Sequence, residues 1–207
     1  LRGKPTIVHN AETFACLPHI IDKGARYFAS MGGKRVPGTK LFALSGHIRH
    51  GGILEAYTNT PIRELLNETA GGTPDHSPIQ ALLFGGPLGR LYTPAEVDLP
   101  LTYDHQPGAG GSTGSGSLYA VGTQVCIVDM VRRFITLLGR ESCGKCIPCR
   151  DGLEAIRIIL EQLVNRPQRE NADQTLLRFR GVTQLEELAA TMQQSSLCGF
   201  GRNAGNV

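Results

Sequence analysis

The 207-residue chain has no tryptophan and only 7 Phe and 5 Tyr, so any core it builds must be largely aliphatic. It has no apolar run near the roughly 18–20 residues needed to span a bilayer, and no signal-peptide pattern opens it, which argues against direct membrane insertion. It also lacks a Lys/Arg run: 21 basic and 18 acidic residues leave a formal net charge of +3, spread along the chain, so charge gives no support to nucleic-acid or membrane-surface binding. None of the six histidines has metal-ligand spacing with another; His47 and His50, three apart around a turn, read as surface residues. No Ser/His/Asp or paired-carboxylate arrangement stands out, so hydrolysis has no candidate. What is present is 41% hydrophobic residues, enough for one or two compact domains and too many for a wholly disordered or fibrous chain. The 26 Gly and 12 Pro imply turn-rich connections and disfavour a purely helical protein. The chain begins at Leu1 rather than Met, in text that reads as the middle of a domain, and a fragment of a longer protein is expected.

Hydrophobic periodicity divides the chain into two grammars. From Asn10, a plausible N-cap, to about Ser30 the pattern predicts a helix, with Phe14, Leu17, Ile21 and Ala25 on one face and Pro18 marking a kink or late start. Strands are expected at Thr39–Gly46 and Ile53–Tyr57, joined as a hairpin, then a helix after Thr60-Pro61 carrying Ile62, Leu65, Leu66 and Thr69, then strands at Ile79–Phe84 and Ser117–Val121. Hairpin, helix and further strands form the order of a β-grasp module. Gly108, Gly110, Gly111, Gly114 and Gly116 read as a loop within it, since no Gly-Lys-Ser/Thr follows to make a phosphate site. After Gly122 the pattern is helical. Val128, Val131, Ile135 and Leu138 mark one helix, and Leu153, Ile156, Leu160 and Leu163 a second. A capping box, Thr183-Gln-Leu-Glu186, is read as opening a third, with Leu185, Leu188, Ala189 and Met192 inward; the stretch from Asn165 to Asn171 reads as a solvated connection. The expected fold class is α+β: a small β-grasp domain followed by a helical bundle.

The six cysteines are unevenly placed. Cys143, Cys146 and Cys149 are clustered, whereas Cys16, Cys126 and Cys198 are scattered, which is not the spacing of a disulfide framework. Three thiolates at two-residue intervals can wrap a tight loop around three corners of a cubane, with the distant Cys198 supplying the fourth corner of a [4Fe–4S] cluster. Gly144 bends freely and Pro148 pre-sets its φ, both suited to such a loop, and Lys145 and Arg150 would offset the cluster's negative charge. Zinc is the rival metal, although it favours paired CxxC or mixed Cys/His sets, and a redox disulfide is a third reading. Cys16 and Cys126 are expected on apolar helical faces, as small hydrophobes.

Glu141-Ser-Cys-Gly-Lys-Cys-Ile-Pro-Cys-Arg150, followed by Ser196-Leu-Cys-Gly-Phe-Gly201, resembles the cluster-binding region of the NADH-binding flavoprotein subunit of respiratory complex I. The same region is similar in the flavoprotein subunits of NAD-linked formate dehydrogenases and of bidirectional or bifurcating hydrogenases. Gly3 to Thr13 resembles the segment closing the family's flavin domain, and Lys40 to about Gly122 its SLBB β-grasp domain. The resemblance implies three regions: residues 1–37 as the edge of a flavin-binding domain, 38–122 as an SLBB-like domain, and 123–207 as a helical iron–sulfur-binding domain. It also implies an electron relay in which NADH reduces FMN and the flavin passes single electrons to a [4Fe–4S] cluster on Cys143, Cys146, Cys149 and Cys198, and thence to downstream centres. Asn10 and Thr13 match positions that approach FMN, while His9 stands where Asn is usual.

The partners so implied are other iron–sulfur subunits of a multisubunit oxidoreductase, including a thioredoxin-like [2Fe–2S] subunit. The implied location is the cytoplasm, including the cytoplasmic face of a membrane complex. The family's glycine-rich FMN and NADH loops would precede Leu1, so this polypeptide alone is expected neither to bind flavin stably nor to oxidise NADH. A reading from a different class keeps the β-grasp unit as a ligand- or partner-binding module, with zinc as a structural staple.

Overall fold

A computed structural model of the chain describes residues 1–34, 36–96, 115–165, 169 and 171–206. Helix α1 (Ala11–Lys23) starts where the Asn10 side chain accepts the Glu12 amide at 2.8 Å, satisfying one of the donors that a helix start leaves unbonded. The single helix expected to reach Ser30 is two helices. Gly24 adopts φ +85, which an L side chain resists, and α2 (Ala25–Ser30) restarts beyond it, while Pro18 is accommodated inside α1. Phe14, Leu17 and Ile21, the apolar face of α1, are exposed, Ile21 to 82%.

Strands β1 (Thr39–Gly46) and β2 (Gly52–Tyr57) form the expected antiparallel hairpin, with Thr39 opposite Tyr57 and Leu44 opposite Gly52. Helix α3 (Ile62–Glu64) begins after Pro61 and continues directly as one π turn, Leu65–Thr69, whose Ile62, Leu65 and Leu66 are buried. Pro61, not Thr60, holds the cap position, and no side chain caps that start. Strands β3 (Ile79–Phe84) and β5 (Ser117–Gly122) fall where alternation puts them. Between them β4 (Arg90–Tyr92) pairs antiparallel with β3; three residues are too few to show a period of two in the sequence. The sheet order is β2-β1-β5-β3-β4, with β1 and β5 parallel and all other neighbours antiparallel.

The central strand β5 sends alternate side chains to opposite faces. Leu118 and Ala120 join Phe42, Leu44, Leu82 and Phe84 under the α3 region, where Ile62, Leu65, Leu66 and Ala70 cover them. Val121 and Tyr119 face the other way with Ala81, and Met130 and Phe134 of α4 (Ile127–Glu141) pack there. Helix α4 therefore does two jobs, since its Ile135 and Leu138 belong to a second core with Leu153, Ile156 and Leu160 of α5 (Ile147–Val164) and Met192 of α6 (Ala172–Ser195). The short α7 (Gly199–Asn203) closes that core through Phe200. The result is a mixed α/β fold with a five-stranded sheet and helices.

The helix expected to open at Thr183 opens at Ala172 instead. Asn171 accepts the Gln174 amide at 2.8 Å, and the Gln174 side chain accepts the Asn171 amide at 3.1 Å, a complete capping box. Thr183 lies inside the helix. Once the first turn is nucleated, extension is cheap, so the upstream of two similar signals prevails. Gly181 within it lets α5 approach closely: a Cβ there would stand 3.0 Å from the Ile159 Cγ2. The glycine-rich loop reading falls outside the described residues except for Gly116. Of the expected connection from Asn165 to Asn171, the described residues Asn165, Arg169 and Asn171 are exposed. No helix among the described residues is long and apolar enough to cross a membrane. Asn171→Ala should lower the unfolding free energy by about 0.5–2 kcal/mol, whereas Thr183→Ala should change it by less than about 0.5 kcal/mol, as measured by denaturant titration of the full-length protein.

Candidate metal centre

The loop between α4 and α5 carries the cysteine triplet. Gly144 takes φ +70, reversing the chain immediately after Cys143. Cys146 then occupies the N-cap of α5 and Cys149 its first turn, with Pro148 where a missing N–H costs nothing. Two sulfurs thus stand at the positive end of an 18-residue helix, where free amides and the helix dipole favour negative charge. Burial is graded: Cys143 is exposed, Cys146 half-buried, and Cys149 buried at 5% exposure.

The fourth cysteine comes from the corner between α6 and α7. Ser196 ends α6, and Cys198 is the N-cap of α7, exposed like Cys143. This corner lies against the triplet at two points. The nearby Leu197 amide is the foremost cause holding the Cys146 thiol below its ordinary pKa; the Cys149 amide and the Arg150 charge act the same way, while burial opposes them. At the second point, a Cβ on Gly201 would sit 2.7 Å from both Cβ and Oγ of Ser196 and 3.0 Å from the Cys149 Cβ, so only glycine lets α7 settle onto Cys149.

One serine hydroxyl lies against the Cys149 sulfur, and a second borders the gap beside the Cys149 Cβ. Ser142 Oγ lies 3.4 Å from Cys149 Sγ and accepts the Gly144 amide at 3.3 Å. Ser196 is 2% exposed, and its hydroxyl has no hydrogen-bond partner, a situation that costs about 1–3 kcal/mol unless a bound group answers it. Arg150 donates to the Gly144 carbonyl at 3.3 Å and pairs with Asp151 at 2.8 Å, so part of its charge is already matched; Lys145 is exposed. Among the described residues, no three His, Cys, Asp or Glu side chains are grouped to grip a single metal ion. The side chains that could hold a metal-containing group here are Cys143, Cys146, Cys149 and Cys198.

The other expected positions fare differently. Asn10 and Thr13 are both exposed, and the Asn10 carbonyl oxygen is engaged in capping α1. Between them, Glu12 accepts the Leu41 amide at 2.7 Å and Lys40 Nζ at 3.1 Å, bracing α1 against β1. Burial acts to raise the Glu12 pKa, but those two donors outweigh it and hold the carboxyl below its ordinary range. Cys126 is not on an apolar helical face: it is the exposed N-cap of α4. Cys16 is half-buried on α1 beside a cavity shared with Lys40 and Phe28.

A Ser/His/Asp group that the sequence did not reveal does form. His47 Nε2 lies 2.9 Å from Ser77 Oγ and 3.2 Å from Asp75 Oδ1, while Ser77 Oγ donates to the same Asp75 oxygen at 2.6 Å. It is no nucleophilic relay, because one imidazole nitrogen faces both partners and the carboxylate competes for the hydroxyl proton. His47 lies 28 residues from Asp75 and 30 from Ser77, which is why spacing could not show the group.

The Asp75 carboxyl is lowered to about 2 from 3.8, first by the Ser77 hydroxyl and then by the Ser77 amide. A depressed carboxylate stabilises the fold fully above the unfolded value and loses that contribution as pH falls through the folded one, so Asp75→Asn should reduce the acid sensitivity of unfolding between pH 3.8 and about 2. At the cysteines, Gly201→Ala should lower bound metal severalfold in the purified full-length protein, because the new methyl displaces Ser196 and Cys149. Gly199→Ala, which meets open space, should retain it; metal analysis distinguishes the two.

Residues 129–207 match the family model for the NADH-ubiquinone oxidoreductase-F iron-sulfur binding region. An NADH-quinone oxidoreductase F subunit of Rhizobium meliloti (strain 1021), the copy numbered 2, is 32% identical over 204 residues, which are 99% of this chain and 46% of that protein. The HndC subunit of the NADP-reducing hydrogenase of Solidesulfovibrio fructosivorans is 32% identical over 98% of this chain and 40% of its own length. An NAD+-reducing [NiFe]-hydrogenase solved in the air-oxidized state superposes with a TM-score of 0.80 at 26% identity, over 99% of this chain and 33% of that one. The chain therefore spans less than half the length of the curated relatives it matches. The cysteine loop and its α6–α7 corner lie inside the matched region, so residues 129–207 are similar to the iron–sulfur binding region of the NADH-quinone oxidoreductase F subunits.

Proposed function

We propose that this chain is the electron-transfer part of an NADH:acceptor oxidoreductase flavoprotein subunit, holding a [4Fe–4S] cluster on Cys143, Cys146, Cys149 and Cys198. The observation that carries the reading is the close seating of the α6–α7 corner on the triplet, where a Cβ on Gly201 would stand 3.0 Å from the Cys149 Cβ, which lays the segment of the fourth cysteine against the other three. When bound, such a cluster supplies one-electron storage between a flavin and further iron–sulfur centres. The chain's own groups suit that charge: amides at the start of α5 and the Leu197 N–H favour thiolates, and the orphaned Ser196 hydroxyl offers a further donor. A cubane takes one thiolate per iron corner, so its ligands have no need to converge on one point as zinc ligands do.

In the complete protein, FMN and NADH are placed by the same reading in the remainder of the subunit, with residues 1–37 at the flavin edge and Asn10 and Thr13 nearest to it. Residues 38–122 are assigned as an SLBB-like β-grasp domain, supported by the order β2-β1-β5-β3-β4 around a parallel central pair. Residues 123–207 form the cluster-binding domain. The partners are further iron–sulfur subunits, a thioredoxin-like [2Fe–2S] subunit among them, in an assembly located in the cytoplasm or on its membrane face. Exposed Ile147 and Leu197, beside the cysteines, offer apolar surface for such a neighbour.

Iron, acid-labile sulfide and EPR measurements on anaerobically purified full-length protein test the reading. About four irons and four sulfides per chain at this site, with an EPR signal on reduction, are expected. Zinc without sulfide would replace the relay with a structural staple. Cys198→Ser should lose the cluster or leave a three-iron form; unchanged cluster content would mean that another residue is the fourth ligand.

A further inference from the structure

We infer that the hydroxyls of Ser142 and Ser196 form a hydrogen-bonding pair on the Cys149 corner of the cluster and raise its reduction potential. The inference rests on the cluster reading above and adds two positioning residues to it.

The argument for Ser142 follows from proton bookkeeping. Its oxygen accepts the Gly144 amide at 3.3 Å and lies 3.4 Å from Cys149 Sγ. A liganded Cys149 is a thiolate with no proton to give, which makes Ser142 the donor. For Ser196 the argument is one of accounting. Its Oγ is the one buried side-chain polar atom among the described residues without a partner, at 2% exposure. It borders the same small gap as Cys149, the gap that Gly201 keeps open by having no side chain. A buried hydroxyl is rarely left unanswered, and a thiolate or sulfide acceptor at this corner would answer it. Ser142 approaches from the end of α4 and Ser196 from the end of α6, so two elements distant in sequence border the Cys149 corner.

Reduction adds one electron to the cluster, with no ligand bond formed or broken, and so increases the negative charge on its sulfurs. Donors aimed at those sulfurs stabilise the reduced state more than the oxidised one, and removing them lowers the potential.

The test is an EPR-monitored redox titration with dithionite on the full-length protein, with iron and sulfide counted in every sample. Ser142→Ala and Ser196→Ala should each keep the cluster and shift its midpoint to a lower potential, and Ser142→Thr, which restores the hydroxyl, should return it to the wild-type value. Electron–nuclear double resonance after exchange into D2O should show an exchangeable deuteron coupled to the wild-type cluster, weakened in each alanine variant. Unchanged midpoints and couplings in both alanine variants with intact clusters would overturn the inference. So would a lowered midpoint in Ser142→Thr equal to that of Ser142→Ala. Absence of sulfide from the wild-type protein is a separate failure, that of the cluster reading itself, and is read before any variant.

Discussion

The seating of the α6–α7 corner on the first turn of α5 is the contact on which the site depends. Three of the four cysteines are local neighbours and would lie together in almost any conformation of their loop. The segment of Cys198 is brought to them because Met192, Phe200 and Ala204 pack into the core formed by Ile135, Leu153, Ile156 and Leu160, and because Gly201 leaves room for Ser196 beside Cys149. Apolar burial supplies the non-directional force, and the room at Gly201 fixes how closely the corner can seat. The proposed donor set thus depends on helix packing and not on the motif alone.

The same economy links the two halves of the chain. Helix α4 presents Met130 and Phe134 to one face of the sheet and Ile135 and Leu138 to the helical core, so displacement of either core would be felt in the other. Because α4 leads directly into Ser142 and the cysteine loop, the sheet braces the site without contributing a ligand candidate to it. At the other end of the chain, the Glu12 carboxylate performs a comparable task, fastening an otherwise exposed helix to β1 through Leu41 and Lys40. A buried lysine is tolerated there because its charge is paired and hydrogen-bonded.

Much of this architecture was legible in residue patterns. Four strands, α4 and α5 fall close to their expected positions, since alternation and 3.6-residue periodicity follow from which face is buried. Errors cluster where two local signals compete or where an element is very short. The capping box at Asn171 outranks the similar one at Thr183, Gly24 splits one apolar stripe into two helices, and β4 and α7 are too short to carry a period. Cys126 looked like a packed hydrophobe from its neighbours, yet it caps α4 in the open.

The cysteine spacing by itself determined the chemical character of the site, because three thiols at two-residue intervals, with Gly144 and Pro148 between them, limit what the loop can grip. It also pointed to Cys198 as the candidate for an outlying fourth member. Only the tertiary structure decided that the segment of Cys198 reaches the triplet, that the Ser142 hydroxyl lies against the Cys149 sulfur, and that Ser196 borders the same corner. The reason is physical. Spacing along a chain records which groups are covalently near, whereas the hydrogen bonds that govern a sulfur's charge come from whatever packing brings within about 3.5 Å of it, regardless of distance in sequence.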